Sequence, residues 1–410
     1  MPSRWNSTVA LRGLLLMQKD TRYWTVSPYC AFPCLLSPGL AVITMTKSVS
    51  ASRLETEKLI CIKTGKFCLI SLRRINGGHP MQPQPNKPIQ PRNPALNQAV
   101  TKEALHQQLE IMTQRVLDPD IGLYGPDSMA WKIHGNISVM FGAGAANLLQ
   151  LAHPWVSQAI DQHSQTQTDP MGRLQRTFLN VHSMVFGNLD QVLDSAVRVH
   201  NIHAKITGQI SESTGRTQKQ SQYFANQVEA LLWVHATLWI VALRVHEMFY
   251  GALSQAEREQ YYEESKLFAF LFGIPEQAMP ENWDAYVAWF NEVVTSDLLA
   301  VGTVGRELVD YLFSMRPWLM PFLNRHRIHT AVLLPDSLRR PFGMPEVTPE
   351  VQKKFDMDVR LIRTAMKCVP VHLRWIPSQI EARRRIQGKK ADLITRLTNK
   401  IVYGRPLLVS

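Results

Sequence analysis

Residues 189–208 read Leu189-Asp-Gln-Val-Leu-Asp-Ser-Ala-Val-Arg-Val-His200-Asn-Ile-His203-Ala-Lys-Ile-Thr-Gly208, and this stretch decides the fold. Asp194, Arg198, Asn201 and Lys205 recur at i, i+4, i+7 and i+11, one polar stripe on a helix of about 3.6 residues per turn. At about 100° per residue, His203 projects on the far side of the helix from Asp194. It shares an apolar face with Val192, Ala196, Val199 and Ile206, while His200 lies nearer the edge. Gly208 is a natural stop, so the spacing predicts a helix over 189–207.

The same period dominates from residue 97 onward, and strand-like alternation is scarce. Asp127 and Ser128 are N-cap residues for a helix to Leu151, and Pro154 suits the first turn of the next, to Ser164. Pro170 opens a helix through Phe186 with Gly187 as its cap. Ser211–Gln220 is polar and reads as an exposed loop. A long apolar helix follows from Gln222 to Tyr250, and Ser254 with Glu257 forms a capping box for the one after it, which ends before Gly273. Further helices are expected over Trp283–Thr295, Asp297–Ser314, Pro349–Met366 and Ile380–Ile401. The prediction is an all-α domain of about ten helices over residues 97–410. Gly142 and Gly144 make a small-residue surface, which either a packed helix or a flat cofactor could use.

Residues 1–96 differ in kind. Residues 1–100 carry 13 Lys and Arg against 3 Asp and Glu, whereas the remaining 310 carry 32 against 30. Six prolines fall between 80 and 94, a composition that favours extended, solvated backbone. Residues 1–96 are therefore expected to be a disordered, basic and Pro-rich extension, with Met81 as an alternative start. The Arg-rich, acid-poor opening slightly resembles a transit peptide, and the Leu14–Leu16 run is too short for a signal-peptide core. Because the net charge of +12 sits mostly outside the helical body, nucleic acid is not the expected partner. The five cysteines lack zinc spacing and are odd in number, which fits a reducing, cytoplasmic compartment. The longest apolar run of the body, Leu231–Val245, is interrupted by His235 and shorter than the roughly 20 residues of a membrane span, so it reads as a buried helix.

Chemistry can sit in few places. A neutral imidazole facing a dry interior is a natural axial ligand for haem iron, although by periodicity alone a core histidine bonded to a carbonyl is the plainer reading of His203. Arg173 and Thr177, four apart, stack on one helix face that Val181 and Met184 continue into apolar territory. A guanidinium and a hydroxyl there suit dioxygen or a haem propionate, while an exposed, ion-paired Arg is the plainer reading. His200/His203 and His326/His329 both read HxxH without a third ligand for zinc, and the second pair stands among Arg325 and Arg327, facing solvent. Gly302-x-x-Gly305 has neither a preceding strand nor a following Lys-Ser/Thr, so it is no phosphate loop.

Four segments in order, Gln150-Leu-Ala-His153-Pro154, Arg173-Leu-Gln-Arg-Thr177, Val199-His-Asn-Ile-His203-Ala204 and Leu232-Trp-Val-His235-Ala-Thr237, resemble the catalytic domain shared by rubber oxygenases and mpaB-type oxygenases. The resemblance runs from about Leu123 to about Arg384. It implies an all-α fold around a b-type haem, with His203 as the metal ligand, Arg173 and Thr177 on the distal side, and His235 near the cofactor in a structural role. Arg176 falls where rubber oxygenases carry a lysine able to approach the iron, and arginine is a poor iron ligand. The implied activity is a haem-dependent oxygenase using dioxygen on an apolar, unsaturated small molecule, by cleavage of a carbon–carbon double bond. A non-catalytic haem sensor or carrier, and a haem-less helical scaffold or lipid-binding module, are the alternatives.

Overall fold

A computed structural model of the chain describes residues 93–164, 168–313 and 320–408 continuously, with four strands before them. Contacts divide it into two units, Met1–Pro85 and Asn86–Ser410. In the first unit β1 (Trp24–Thr25), β2 (Val42–Ser48), β3 (Thr56–Lys63) and β4 (Lys66–Arg74) form an antiparallel sheet in the order β1-β4-β3-β2. Runs such as Leu59-Ile-Cys-Ile62 and Phe67-Cys-Leu-Ile70 have the apolar, β-branched composition that suits paired strands. The expectation of disorder over 1–96 did not anticipate these strands, and its remainder, up to residue 92, lies outside the described residues. Pro94–Asn97 is a 3-10 turn of the second unit, so order there begins ahead of the boundary expected at 97.

The second unit is helical. Its elements are α1 (Lys102–Thr113), α2 (Met129–His134), α3 (Ala143–Leu151), α4 (Pro154–His163), α5 (Pro170–Phe186), α6 (Leu189–His203) and α7 (Val228–Tyr250). They continue as α8 (Gln255–Phe270), α9 (Trp283–Val294), α10 (Thr303–Phe313), α11 (Met320–Leu333), α12 (Asp336–Arg339), α13 (Pro349–Cys368), α14 (Pro377–Ile386) and α15 (Leu393–Tyr403). Local chemistry sets most of these limits. Asn188 and Gln191 cap α6 reciprocally, and Ser254 and Glu257 do the same for α8, each satisfying backbone donors that a helix start leaves orphaned.

α7 is the axis of the core. It packs against α2, α3, α8, α9 and α13 and buries Trp233, Trp239, Leu232 and Ile240 completely or nearly so. By length and composition this helix could cross a membrane, yet 78% of its apolar window is covered by its neighbours. Gly142 serves that packing, and Gly144 the contact of α3 with α11. A Cβ on Gly142 would lie 2.7 Å from Val241 Cγ1, and one on Gly144 would lie 2.2 Å from Thr330 Oγ1. Helices, not a cofactor, occupy the small-residue surface.

Several limits differ from the sequence expectation. The helix expected over 127–151 breaks into α2, a 3-10 turn at Ile137–Gly142, and α3. The break falls at Gly135-Asn136, where Asn136 pairs with Trp375 and a Cβ on Gly135 would collide with Gln379 Oε1 at 2.0 Å. α6 ends at His203, because Thr207–Gln209 leaves the helix as β5 and pairs antiparallel with β6 (Gln222–Phe224). The helix expected from Gln222 accordingly starts at Val228, and the polar loop lies between the two strands. Ile380–Ile401 is two helices separated at Gly388, whose φ of +67° suits glycine. α1, α11 and the short α12 were not anticipated.

Candidate functional site

α5 and α6 form an antiparallel hairpin turned at Gly187-Asn188 and tied by Arg198 Nη1 donating to Asn180 Oδ1 at 3.3 Å. Asp194, Arg198, Asn201 and Lys205 are all exposed along α6, as their stripe requires, and line an open cavity of about 460 Å³ on its outer side. His203 closes the helix on the inward side. Its ring is half-buried, 6.5 Å from the ring of Phe272 in the turn after α8. Burial, then the neighbouring His200, pushes its pKa down to about 4, so the imidazole is neutral near pH 7.

Among the described residues, four histidines keep a buried ring nitrogen with no hydrogen-bond partner: Nε2 of His153, and Nδ1 of His200, His203 and His246. Their surroundings separate them. His153 is the N-cap of α4, and its Nδ1 accepts from the Trp155 amide at 3.2 Å. A neutral ring with Nδ1 accepting carries its proton on Nε2, so His153 has no lone pair free for a metal. His200 is buried beside Lys102, Glu103 and His106 of α1. His246 lies 4.9 Å from the Tyr250 ring and feels Lys132, Glu247 and Glu257. His203 has an aromatic neighbour, and among the described residues no hydrogen-bond partner holds either tautomer. It is the histidine best placed to give a lone pair to iron.

Arg173 and Thr177 lie in the first two turns of α5, at the same end of the hairpin as His203. Arg173 is half-buried, and burial followed by the charge of Arg176 disfavours its own charge. No carboxylate among the described residues pairs with it. Thr177 is exposed, and its hydroxyl donates to the Arg173 carbonyl at 3.0 Å. Arg176 points to solvent and pairs with Asp169 at 3.1 Å. Among the described contacts, none joins Arg173, Arg176 or Thr177 to His203.

His235 belongs elsewhere. It is 2% exposed in α7, with Nε2 against the Ser265 carbonyl at 2.8 Å and Nδ1 against the Tyr286 hydroxyl at 2.7 Å. Both nitrogens are engaged, which makes it a core tie between α7, α8 and α9 with nothing left for a cofactor. His235→Ala is expected to strand the buried Tyr286 hydroxyl, open a cavity and lower stability by about 3 kcal/mol. Denaturant unfolding checks this, and an unchanged midpoint would remove His235 from the core's supports.

The expectation that His326 and His329 face solvent is corrected for His329, while His326 is half-buried. His329 is 7% exposed, stacks on Phe141 at 4.5 Å, and meets Asp358 Oδ2 at 2.6 Å, while Arg325 clasps the same carboxylate. The partner is 29 residues away on α13, beyond any local signal. Among the described residues, no group of three or more His, Cys, Asp or Glu is placed to hold a metal ion. A lone histidine over an apolar neighbour matches the needs of haem, whose porphyrin supplies the other iron ligands.

The model of the family described as "ER-bound oxygenase mpaB/B'/Rubber oxygenase, catalytic domain" matches residues 131–366, more than half of the chain. The chain belongs to this family. The match starts in α2, ends within α13, and contains the α5–α6 hairpin together with His153, His235, His246 and His329. The mpaB/rubber oxygenase assignment makes this an oxygenase-type catalytic domain. No curated protein and no solved structure matches the chain. The residues present fit a haem on two observations: the unpartnered nitrogen of a neutral His203 and the half-buried, carboxylate-free guanidinium of Arg173.

Proposed function

We propose that this protein is a haem b-dependent oxygenase acting on an apolar, unsaturated small molecule, with His203 as the residue that would hold the iron. The observation that carries the reading is the unpartnered Nδ1 of the uncharged His203 ring, within an oxygenase-family domain. When bound, haem supplies the iron centre at which dioxygen reacts. The protein's residues do the rest. His203 gives one imidazole lone pair, and being neutral it needs no deprotonation near pH 7. Arg173, lacking a protein carboxylate, is the group for a propionate. Thr177 would offer its hydroxyl as a polar group on the same side of the hairpin, since a Ser or Thr rotor can turn from its own helix carbonyl to another partner. Val199 and Phe272, both half-buried against the core, help keep water away. Arg176 remains with Asp169 and does not cap the iron. Inserting both atoms of dioxygen into an isolated carbon–carbon double bond yields two carbonyls, a reaction that balances without added electrons.

The test is a titration of the full chain with haem, followed by oxygen uptake in the presence of apolar olefins. A Soret band saturating at one haem per chain with olefin-dependent oxygen uptake is the expected result. A Soret band without uptake would leave a haem carrier or sensor, and folded protein that stays colourless would end the reading. Thr177→Ala is expected to keep the haem and slow turnover by about 10²-fold, the usual cost of one polar group at a reacting oxygen. Unchanged turnover would take Thr177 out of the mechanism.

A further inference from the structure

α15 wears its apolar side outward. Leu393, Ile394, Leu397 and Ile401 are 80, 76, 60 and 66% exposed, whereas Thr395, Asn399 and Tyr403 face the protein. At about 100° per residue the four aliphatic side chains share one face, opposite the buried one. An ordinary surface helix does the reverse, turning its apolar stripe to the core. The inversion is held by specific bonds. Asn399 donates to Glu381 Oε2 at 2.5 Å and to the Pro406 carbonyl at 3.2 Å, and the Tyr403 hydroxyl meets His182 Nδ1 at 2.9 Å. The helix is locked in this orientation and cannot roll to hide its leucines.

The apolar face does not stop at α15. Gln175 of α5 donates to the Ile401 carbonyl at 2.9 Å, placing the first turns of α5 beside the end of α15. There Met171 and Leu174 are 52% and 41% exposed. Large aliphatic side chains from two helices thus share one side of the domain. Singly exposed leucines are common, but a group of six is a contact surface.

The charge around this face points to its occupant. Residues 383–405 hold eight Lys and Arg and one acid, Asp392. Asp392 is already paired with Arg384 at 3.1 Å. Lys389, Lys390, Arg396 and Lys400 are exposed and pair with no carboxylate among the described residues. Arg396 and Lys400 flank the aliphatic stripe, where long cationic stems can lie along apolar surface and raise their charge to phosphate level. A one-sided face spread over two helices suits a flat partner better than a groove that must wrap a helix. We infer that this face is a docking surface for an anionic lipid bilayer, with Leu393, Ile394, Leu397 and Ile401 entering the headgroup–acyl boundary. α15 lies beyond the residues matched to the family, so the surface belongs to this chain's own sequence. It also stands independently of the haem reading.

The test is sedimentation of the full chain with phosphatidylcholine vesicles, with and without phosphatidylserine. Binding only to the phosphatidylserine vesicles, weakened by salt, is expected. Leu397→Glu, at a position that supports no core packing, should keep the circular dichroism spectrum and lower vesicle affinity by about ten-fold or more. Lys400→Gln should lower it by about five-fold. No binding to either vesicle overturns the inference. So does binding that survives Leu397→Glu, which would move the contact to other basic residues such as those of the first hundred. Light scattering that shows an oligomer dissociated by Leu397→Glu, without vesicle binding, would instead make the face an interface between copies.

Discussion

His203→Ala is expected to abolish stoichiometric haem binding while leaving the helical circular dichroism signal unchanged. The residue ends α6, is half-buried, and makes no side-chain hydrogen bond to the protein, so its loss should cost stability little, about 1 kcal/mol. Haem binding is another matter, because among the described residues no second histidine combines an unpartnered ring nitrogen with the same aromatic setting. His200→Ala is the control one turn away. That ring is 6% exposed beside α1, and its removal should lower stability by about 2 kcal/mol yet leave the Soret band in place. Added imidazole should restore the band in His203→Ala by filling the space vacated. Full haem retention in His203→Ala would sink the ligand assignment, and loss in His200→Ala alone would shift it by one turn.

The second large effect concerns acid. His153, His182, His235 and His246 are each under 9% exposed, and burial drives their pKa values down to about 3 for His153 and about 4 for the others. In the unfolded chain each titrates near 6.5. The folded pKa is therefore the lower one, and the unfolded state binds more protons between the two values. Stability from these groups is fully present above pH 6.5 and is lost as pH falls toward about 4. At about pH 5 each neutral histidine has forfeited about 2 kcal/mol, and the four together about 8 kcal/mol. Total domain stabilities are about 5–15 kcal/mol, so unfolding near pH 5 is expected. Asp358, held below its usual range by the Arg325 bond, adds a loss only at still lower pH. Thermal midpoints measured at about pH 7.5 and 5 decide the matter. A midpoint that does not fall between them would mean these histidines are charged, or solvated, in the folded protein.

Much of the helical order is legible in short stretches. Pro170 through Phe186 forms one helix with Gly187 beyond it, and Ser254 with Glu257 makes the capping box that their spacing requires. The stripe of Asp194, Arg198, Asn201 and Lys205 faces solvent. The missed features depend on distant partners. Gly135-Asn136 breaks a helix because Trp375 and Gln379 come in from the far end of the chain. Thr207–Gln209 is a strand because Gln222–Phe224 lies beside it. α11 reads as polar, through Arg325, His326, Arg327 and His329, yet its last histidine is buried by Asp358 and Phe141.

The same division runs through the site. By itself the sequence determined that His203 sits on the apolar side of its helix and that Arg173 and Thr177 share a face, since both follow from a fixed rotation per residue. Only the tertiary structure decided which ring nitrogens are satisfied. His235, on an equally apolar helix, is occupied at both by Ser265 and Tyr286, while Nδ1 of His203 has no partner. It also decided that α15 buries Asn399 and exposes Leu397, a reversal made by Glu381 and by the Pro406 carbonyl. Periodicity reports the direction of a side chain, but hydrogen-bond satisfaction depends on groups brought from elsewhere by folding, and those the local pattern does not contain.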